Sequence, residues 1–217
     1  MTNAIEVMEL TKTFGQDTVL KGVTRSFEAG KIHGVVGNNG SGKTVLFKCI
    51  CGFLQSTSGK VFVDGKRIGK DVDFPTDIGL IIETSGFLPQ LTGLKNLEIL
   101  ASLNKKIDLK KVADAIRLVG LDPYSRKPVG KYSLGMRQRL GIAQAIMEQP
   151  KLLILDEPMN GLDKHGVAEM RALFRSLATD GRTILLASHN IQDIEALCDT
   201  VCEMDAGVMT MVKEDEV

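Results

Sequence analysis

Near the start of the chain apolar and polar residues alternate, Ile5 and Val7 against Glu6 and Glu9, the period of a half-buried strand over residues 4–10. Residues 11–17 are polar and turn-like around a single aromatic, Phe14, and residues 18–28 read as a second strand closed by Ala29-Gly30. Short apolar runs at 31–36, 78–82, 151–155 and 183–187 have the length and β-branched content of buried strands, and 58–65 is a strand punctuated by glycines. Apolar residues recur at three- and four-residue spacing over 98–103, 109–120, 134–147, 167–178 and 191–197, which predicts helices, as does the apolar run 45–51. Leu121-Asp122-Pro123 and Lys127-Pro128-Val129-Gly130 interrupt them, and the charged end 213–217 is expected to fray. Strand and helix alternate at both ends of the chain, so the expected class is α/β with a mostly parallel sheet covered on both faces. The helical block 88–148 is expected as a lobe inserted into one domain whose core lobe is 1–87 with 149–217.

The strand 31–36 and the helix 45–51 flank Gly37-Asn38-Asn39-Gly40-Ser41-Gly42-Lys43-Thr44, the pattern GxxxxGK[ST] in the strand–loop–helix setting that a phosphate-binding loop needs. Its glycines let backbone N–H groups turn inward as a nest for anionic oxygens, and the helix adds the positive end of its dipole. Lys43 supplies a charge for β- and γ-phosphates, and the Thr44 hydroxyl can ligate Mg²⁺. Nucleoside triphosphate binding follows. Leu152–Asp156 is an apolar strand ending in the carboxylates Asp156 and Glu157. Beside a phosphate loop, Asp156 is placed to reach the metal and Glu157 to orient or deprotonate an attacking water. Ser133 is a good N-cap for the helix that follows, whose free amides form a second anion-seeking end.

Composition removes several classes. The 217 residues carry 27 Lys+Arg against 27 Asp+Glu, so no basic footprint argues for nucleic acid, and no nucleic-acid partner is expected. Cys49, Cys51, Cys198 and Cys202 lack zinc-ligand spacing and read as reduced thiols. The first ten residues have neither the basic nor the apolar region of a signal peptide, and no apolar run approaches the ~18 residues of a membrane span. If the work involves a membrane, another chain must provide it.

The order of these motifs resembles the nucleotide-binding subunit of ATP-binding cassette (ABC) transporters over nearly the whole chain. Gly37 to Thr44 matches Walker A, Leu152 to Glu157 matches Walker B, and Tyr132 to Met136 holds the signature position. Asn160-Gly161-Leu162-Asp163 resembles the D-loop, and Ser188-His189-Asn190 the switch histidine. The resemblance implies a P-loop NTPase (RecA-like) fold with an antiparallel β part and an inserted helical lobe. It also implies ATP and Mg²⁺ as cofactors, and a head-to-tail pair with a second ATPase subunit, the same chain or a different one. In that pair Ser133 and Gly135 of one subunit meet the γ-phosphate held by the other's loop, Asp163 borders the nucleotide, and His189 helps Glu157 hold the attacking water. Phe14, which position alone leaves as either a staple or an aromatic face, falls where the family stacks an aromatic on adenine. An integral-membrane partner is expected near residues 83–94, where Phe87 and Leu88 offer an apolar contact, with the chain on the cytoplasmic face of the membrane.

The chain departs from the family pattern at two places. Leu134 and Met136 stand where the signature has Gly and Gln, and Glu83 stands where the family has a glutamine that touches Mg²⁺; a glutamate can also ligate Mg²⁺, so Glu83 is expected on the metal with Thr44 and Asp156. An acid there is similar to the branch exporting bacitracin-like peptides or giving immunity to lantibiotics, so the implied cargo is a peptide antibiotic moved outward. A non-transport ABC ATPase and a regulatory nucleotide-binding module are the alternatives.

Overall fold

The computed structural model describes residues 2–83, 86–104 and 106–214, the side chains of Gln192 and Asp193 excepted. Thr84, Ser85, Lys105 and the last three residues, including most of the tail expected to fray, lie outside the described residues.

Two sheets share the strands. In the first, β1 (Asn3–Phe14), β2 (Asp17–Glu28), β4 (Ser58–Val63) and β5 (Lys66–Arg67) form an antiparallel sheet in the order β2-β1-β4-β5. In the second, β3 (Ile32–Val36), β6 (Ile78–Ile81), β7 (Leu152–Asp156), β8 (Thr183–Ser188), β9 (Thr200–Asp205) and β10 (Val208–Lys213) run β10-β9-β3-β8-β7-β6. Five of these are parallel; β10 pairs antiparallel on the edge. The central strands β3, β7 and β8 are buried at every position, which is why they read as continuous apolar runs rather than alternations. Helices α1 (Lys43–Ile50), α2 (Gly93–Asn104), α3 (Leu109–Leu118), α4 (Leu134–Ile146), α5 (Lys164–Thr179) and α6 (Ile191–Leu197) complete the fold. Leu97, Ile116, Leu140 and Phe174 share one apolar cluster with Leu153 and Leu186, whereas Phe27, Phe47 and Ile50 fill a second cluster under the antiparallel sheet.

The structure corrects the pattern reading at four places. Residues 11–14 are strand and not turn, because β1 runs on through register shifts while Thr57 N donates to Thr11 O and Thr13 N to Thr57 Oγ1. Helix α2 begins at Gly93 rather than 98. Thr92 Oγ1 accepts from Lys95 N, and buried Asn96 ties the turn by accepting from Leu88 N at 2.7 Å and donating to the carbonyls of Leu88 and Thr92. Strand β5 arises from the Asp64-Gly65 turn, both residues at positive φ. Strands β9 and β10 meet at Ala206-Gly207, again both at positive φ, as a two-residue hairpin turn requires.

Candidate functional site

Strand β3 delivers the chain into the glycine loop at the carboxyl edge of the parallel sheet, and α1 carries it away. At Gly37 a β-carbon would lie 2.2 Å from the carbonyl oxygen of Met204 on β9, so the sheet and the loop can meet this closely only with glycine. Gly207, at the tip of the β9–β10 hairpin, donates its N–H to Ser41 O at 3.0 Å and accepts from Lys21 N at 2.9 Å. That one residue joins the phosphate loop to β2 of the other sheet. Helix α1 starts after Gly42 with no side-chain cap and no acid in its first turn, leaving its leading amides free for an anion. Ser41 Oγ is buried without a hydrogen-bond partner, and the Lys43 ammonium folds back onto the carbonyls of Gly37 (2.6 Å) and Asn38 (3.1 Å). Exposed Asn38, Asn39 and Gly40 form the crest. A recess of about 260 Å³ lies over Gly40, Lys43, Thr44, Asp156 and Glu157. Unspent donors around a recess at a helix N-terminus fit a polyphosphate.

Asp156 ends β7, and Thr44 Oγ1 donates to its Oδ2 at 2.5 Å. Burial pushes the Asp156 carboxyl above its ordinary value; the Thr44 hydrogen bond pulls it back and the neighbouring Glu157 adds to the rise. A bound dication would favour its charged form. Hard oxygen donors from one hydroxyl and one carboxylate suit Mg²⁺, which completes its shell with phosphate oxygens and water rather than a protein cage. Consistent with that division, the described residues contain no cluster of three or more His, Cys, Asp or Glu able to hold a metal alone.

Glu157 leaves the strand at φ 50, its N–H donating to Ala187 O of β8. That bend turns its side chain towards the end of β8, where His189 Nδ1 lies 3.0 Å from Oε1 and Ser188 Oγ donates to Oε2 at 3.4 Å. Gln138 of α4 donates to the carbonyls of Glu157 (3.1 Å) and Pro158 (3.0 Å), fixing the bend. Gln138 was not singled out in the sequence; its helix and the Asp156–Glu157 pair are legible there, but their contact is not.

The remaining expected residues stand apart from the recess. Ser133 N-caps α4, its Oγ accepting from Met136 N at 3.1 Å. Gly135 packs on the D-loop-like turn: a β-carbon there would be 2.9 Å from Gly161 O, and one on Gly161 would strike Leu134. Asp163 N-caps α5 through Gly166 N at 2.8 Å. Phe14 is 44% exposed at the end of β1, its ring covered on one face by the Lys12 ammonium at 4.8 Å, so it offers an open face and is no internal staple. Glu83, at φ 61 just beyond β6, carries its carboxylate to Lys48 Nζ at 2.5 Å. Phe87 packs against the main apolar cluster and lines a cleft of about 330 Å³ with Leu134, Gln138, Glu157 and Asn160, whereas Leu88 is exposed.

Residues 20–160 match the family model described as ABC transporter. The chain belongs to the ABC transporter ATP-binding family. It is an ABC ATPase with the P-loop fold. The cassette is 43% identical over 203 residues to an uncharacterized ABC transporter ATP-binding protein of Bacillus subtilis (strain 168), covering 94% of this chain and 93% of that one. It is 42% identical over 209 residues to the bacitracin transport ATP-binding protein BcrA of Enterococcus faecalis, covering 95% of this chain and 68% of the relative. To the lantibiotic transport ATP-binding protein SrtF of Streptococcus pyogenes it is 33% identical over 211 residues, with 97% and 90% covered. In fold the cassette matches a dimeric post-hydrolysis ATP-binding cassette bound to ADP and Pi, with a TM-score of 0.88 at 21% identity over 98% of this chain and 100% of that one. Among the described residues no helix of the cassette is long and apolar enough to cross a membrane.

Proposed function

We propose that this ABC ATPase powers the export of a peptide antibiotic, of the bacitracin or lantibiotic kind, through a separate membrane subunit to which it binds on the cytoplasmic side. The relatives named for bacitracin and lantibiotic transport support the cargo class, and the resemblance drawn from Glu83 is to the same branch. The observation that carries the ATPase mechanism is the convergence of the Lys43–Thr44 loop, Asp156 and the Glu157–His189 pair at one edge of the parallel sheet.

Loop amides, Ser41 and Lys43 bind the β- and γ-phosphates; Phe14 offers its open face to the base. Thr44 and Asp156 are the residues that would hold Mg²⁺, with Glu83 nearby. When bound, the ion neutralises charge that develops between the β- and γ-phosphates. Glu157 takes a hydrogen bond from the attacking water and receives its proton, while His189 orients the Glu157 carboxylate and reaches the γ-phosphate. Ser133 and Gly135 complete the site held by a second ATPase subunit arranged head to tail, which leaves each subunit's own recess open on one side until the pair closes. The helical block 88–148 forms a lobe inserted between 1–87 and 149–217, and the membrane subunit docks between lobes near residues 83–94.

A regulatory module needs no base, and the hydrogen-bonded Glu157–His189 pair favours hydrolysis. Inverted membrane vesicles carrying the chain with its membrane subunit should accumulate labelled peptide when ATP is supplied. Glu157→Gln should abolish uptake and lower ATP turnover by about 100-fold or more while ATP binding and ATP-dependent pairing persist. Equal slow turnover in both proteins, or uptake indifferent to the substitution, would overturn the reading.

A further inference from the structure

Helix α1 makes two parallel contacts with the ends of neighbouring strands. Thr44 and Lys48 are four residues apart on it and so share one face. Thr44 donates to Asp156 at the end of β7, and Lys48 Nζ meets Glu83, two residues beyond β6, each at 2.5 Å. Strands β6 and β7 are parallel neighbours with Ile81 beside Leu155, and continuing that register brings Glu83 alongside the Asp156–Glu157 end. Three carboxylates therefore gather at the edge where a triphosphate would bring more negative charge. As a stabilising contact the pair of Glu83 with Lys48 is worth little, because the Glu83 side chain is 62% exposed. What the pair changes is the local charge.

We propose that Lys48 is a positioning residue of the ATPase site. Its ammonium holds the Glu83 carboxylate in an ion pair and cancels its charge, so the loop binds a triphosphate beside an acid where a neutral amide would need no such partner. The cation at 48 and the acid at 83 form one unit. This rests on the ATP-binding reading above and assigns a role to a residue that neither the P-loop pattern nor the Walker B strand contains.

The test is a double-mutant cycle of Lys48→Met, Glu83→Gln and the two combined. Dissociation constants for ATP are measured by calorimetry in the Glu157→Gln background, with Mg²⁺ and with EDTA, next to melting midpoints. Lys48→Met should weaken binding about tenfold in both conditions through the uncompensated Glu83 charge. Adding Glu83→Gln should restore binding to within about twofold of the parent, and Lys48→Arg should bind as the parent does. Should Lys48→Met lower the melting midpoint, Lys48→Gln, which keeps a polar head, takes its place. An equal loss with and without Glu83→Gln, or no loss in any variant, overturns the proposal. Failure of the ATPase reading looks different: the unsubstituted chain would then neither bind nor turn over ATP.

Discussion

At the scale of single residues, the motif positions and the buried ones behave differently, and His33 is instructive among the latter. It lies within β3, 2% exposed, bonded through Nε2 to Glu28 O at 2.8 Å and through Nδ1 to Thr200 Oγ1 at 2.7 Å. A carbonyl only accepts, so Nε2 carries the proton and Nδ1 takes the Thr200 hydroxyl. Burial lowers the imidazole below its ordinary value; the Glu28 carbonyl and Asp199 oppose the shift, and Arg25 and Lys31 add to it. A base whose folded value is depressed binds fewer protons folded than unfolded, so stability is lost as pH falls through about 6.5 and the loss ends below the folded value. Denaturant unfolding of the wild type should therefore lose up to about 1.4 kcal/mol per pH unit just below that point, and His33→Gln should flatten this slope. Nothing in the sequence around His33 marks it, since a lone histidine on a strand has no partner until β9 is placed. The loop residues 37–44 are the opposite case: their spacing is dictated by backbone geometry alone and is legible without a fold. Lys48 is intermediate, visible as a helix charge but with its partner thirty-five residues away.

Elements were legible where packing imposes one period. The fully buried β3, β7 and β8 and the amphipathic α3 fall close to their predicted bounds, because burial on both faces or on one stripe leaves a clean pattern. Strands β9 and β10 escaped, since Thr200, Glu203 and Asp205 break the apolar run and β10 is a largely exposed edge of which only Met209 packs against the second apolar cluster. Helix–sheet contact distance is also invisible in sequence, yet it has a sharp consequence at Gly79. A β-carbon there would sit 2.0 Å from Ala145 O of α4 and 2.7 Å from Leu153 Cδ2, so β6 and α4 touch through this glycine. Gly79→Ala should cost about 1–3 kcal/mol and lower the melting midpoint, whereas Gly86→Ala, with nothing within 4 Å of the new methyl, should stay within about 0.5 kcal/mol. Calorimetric melting of the two variants decides it. Glu83 follows two residues after β6 and Ser133 caps α4, so the same two elements lead to both.

For the whole molecule, the separation between the recess and Ser133 has a consequence for assembly. Each chain holds two anion-seeking helix starts, α1 and α4, and the recess over α1 is not lined by Ser133 or Gly135. In the proposed head-to-tail pair every site would be a composite of two subunits. Lys43→Ala and Ser133→Arg, each inactive alone, should then complement on mixing: a mixed pair has one site with both lesions and one with neither. If two copies of this chain pair at random, half of the pairs are mixed, and ATPase activity should recover to about a quarter of the wild-type value. A mixture as inactive as its parts would exclude composite sites. The sequence announced both helix starts but not that they stand apart, because position is a property of the packed sheet and of neither motif alone.

Gly207 ties the loop's Ser41 and the β2 residue Lys21 to one residue, the first through its N–H and the second through its C=O. On the proposed ATP-binding reading, a shift of the cradle on filling would pass through this residue to the antiparallel sheet that carries Phe14. Grip on the phosphate tail and grip on the base would then rise and fall together.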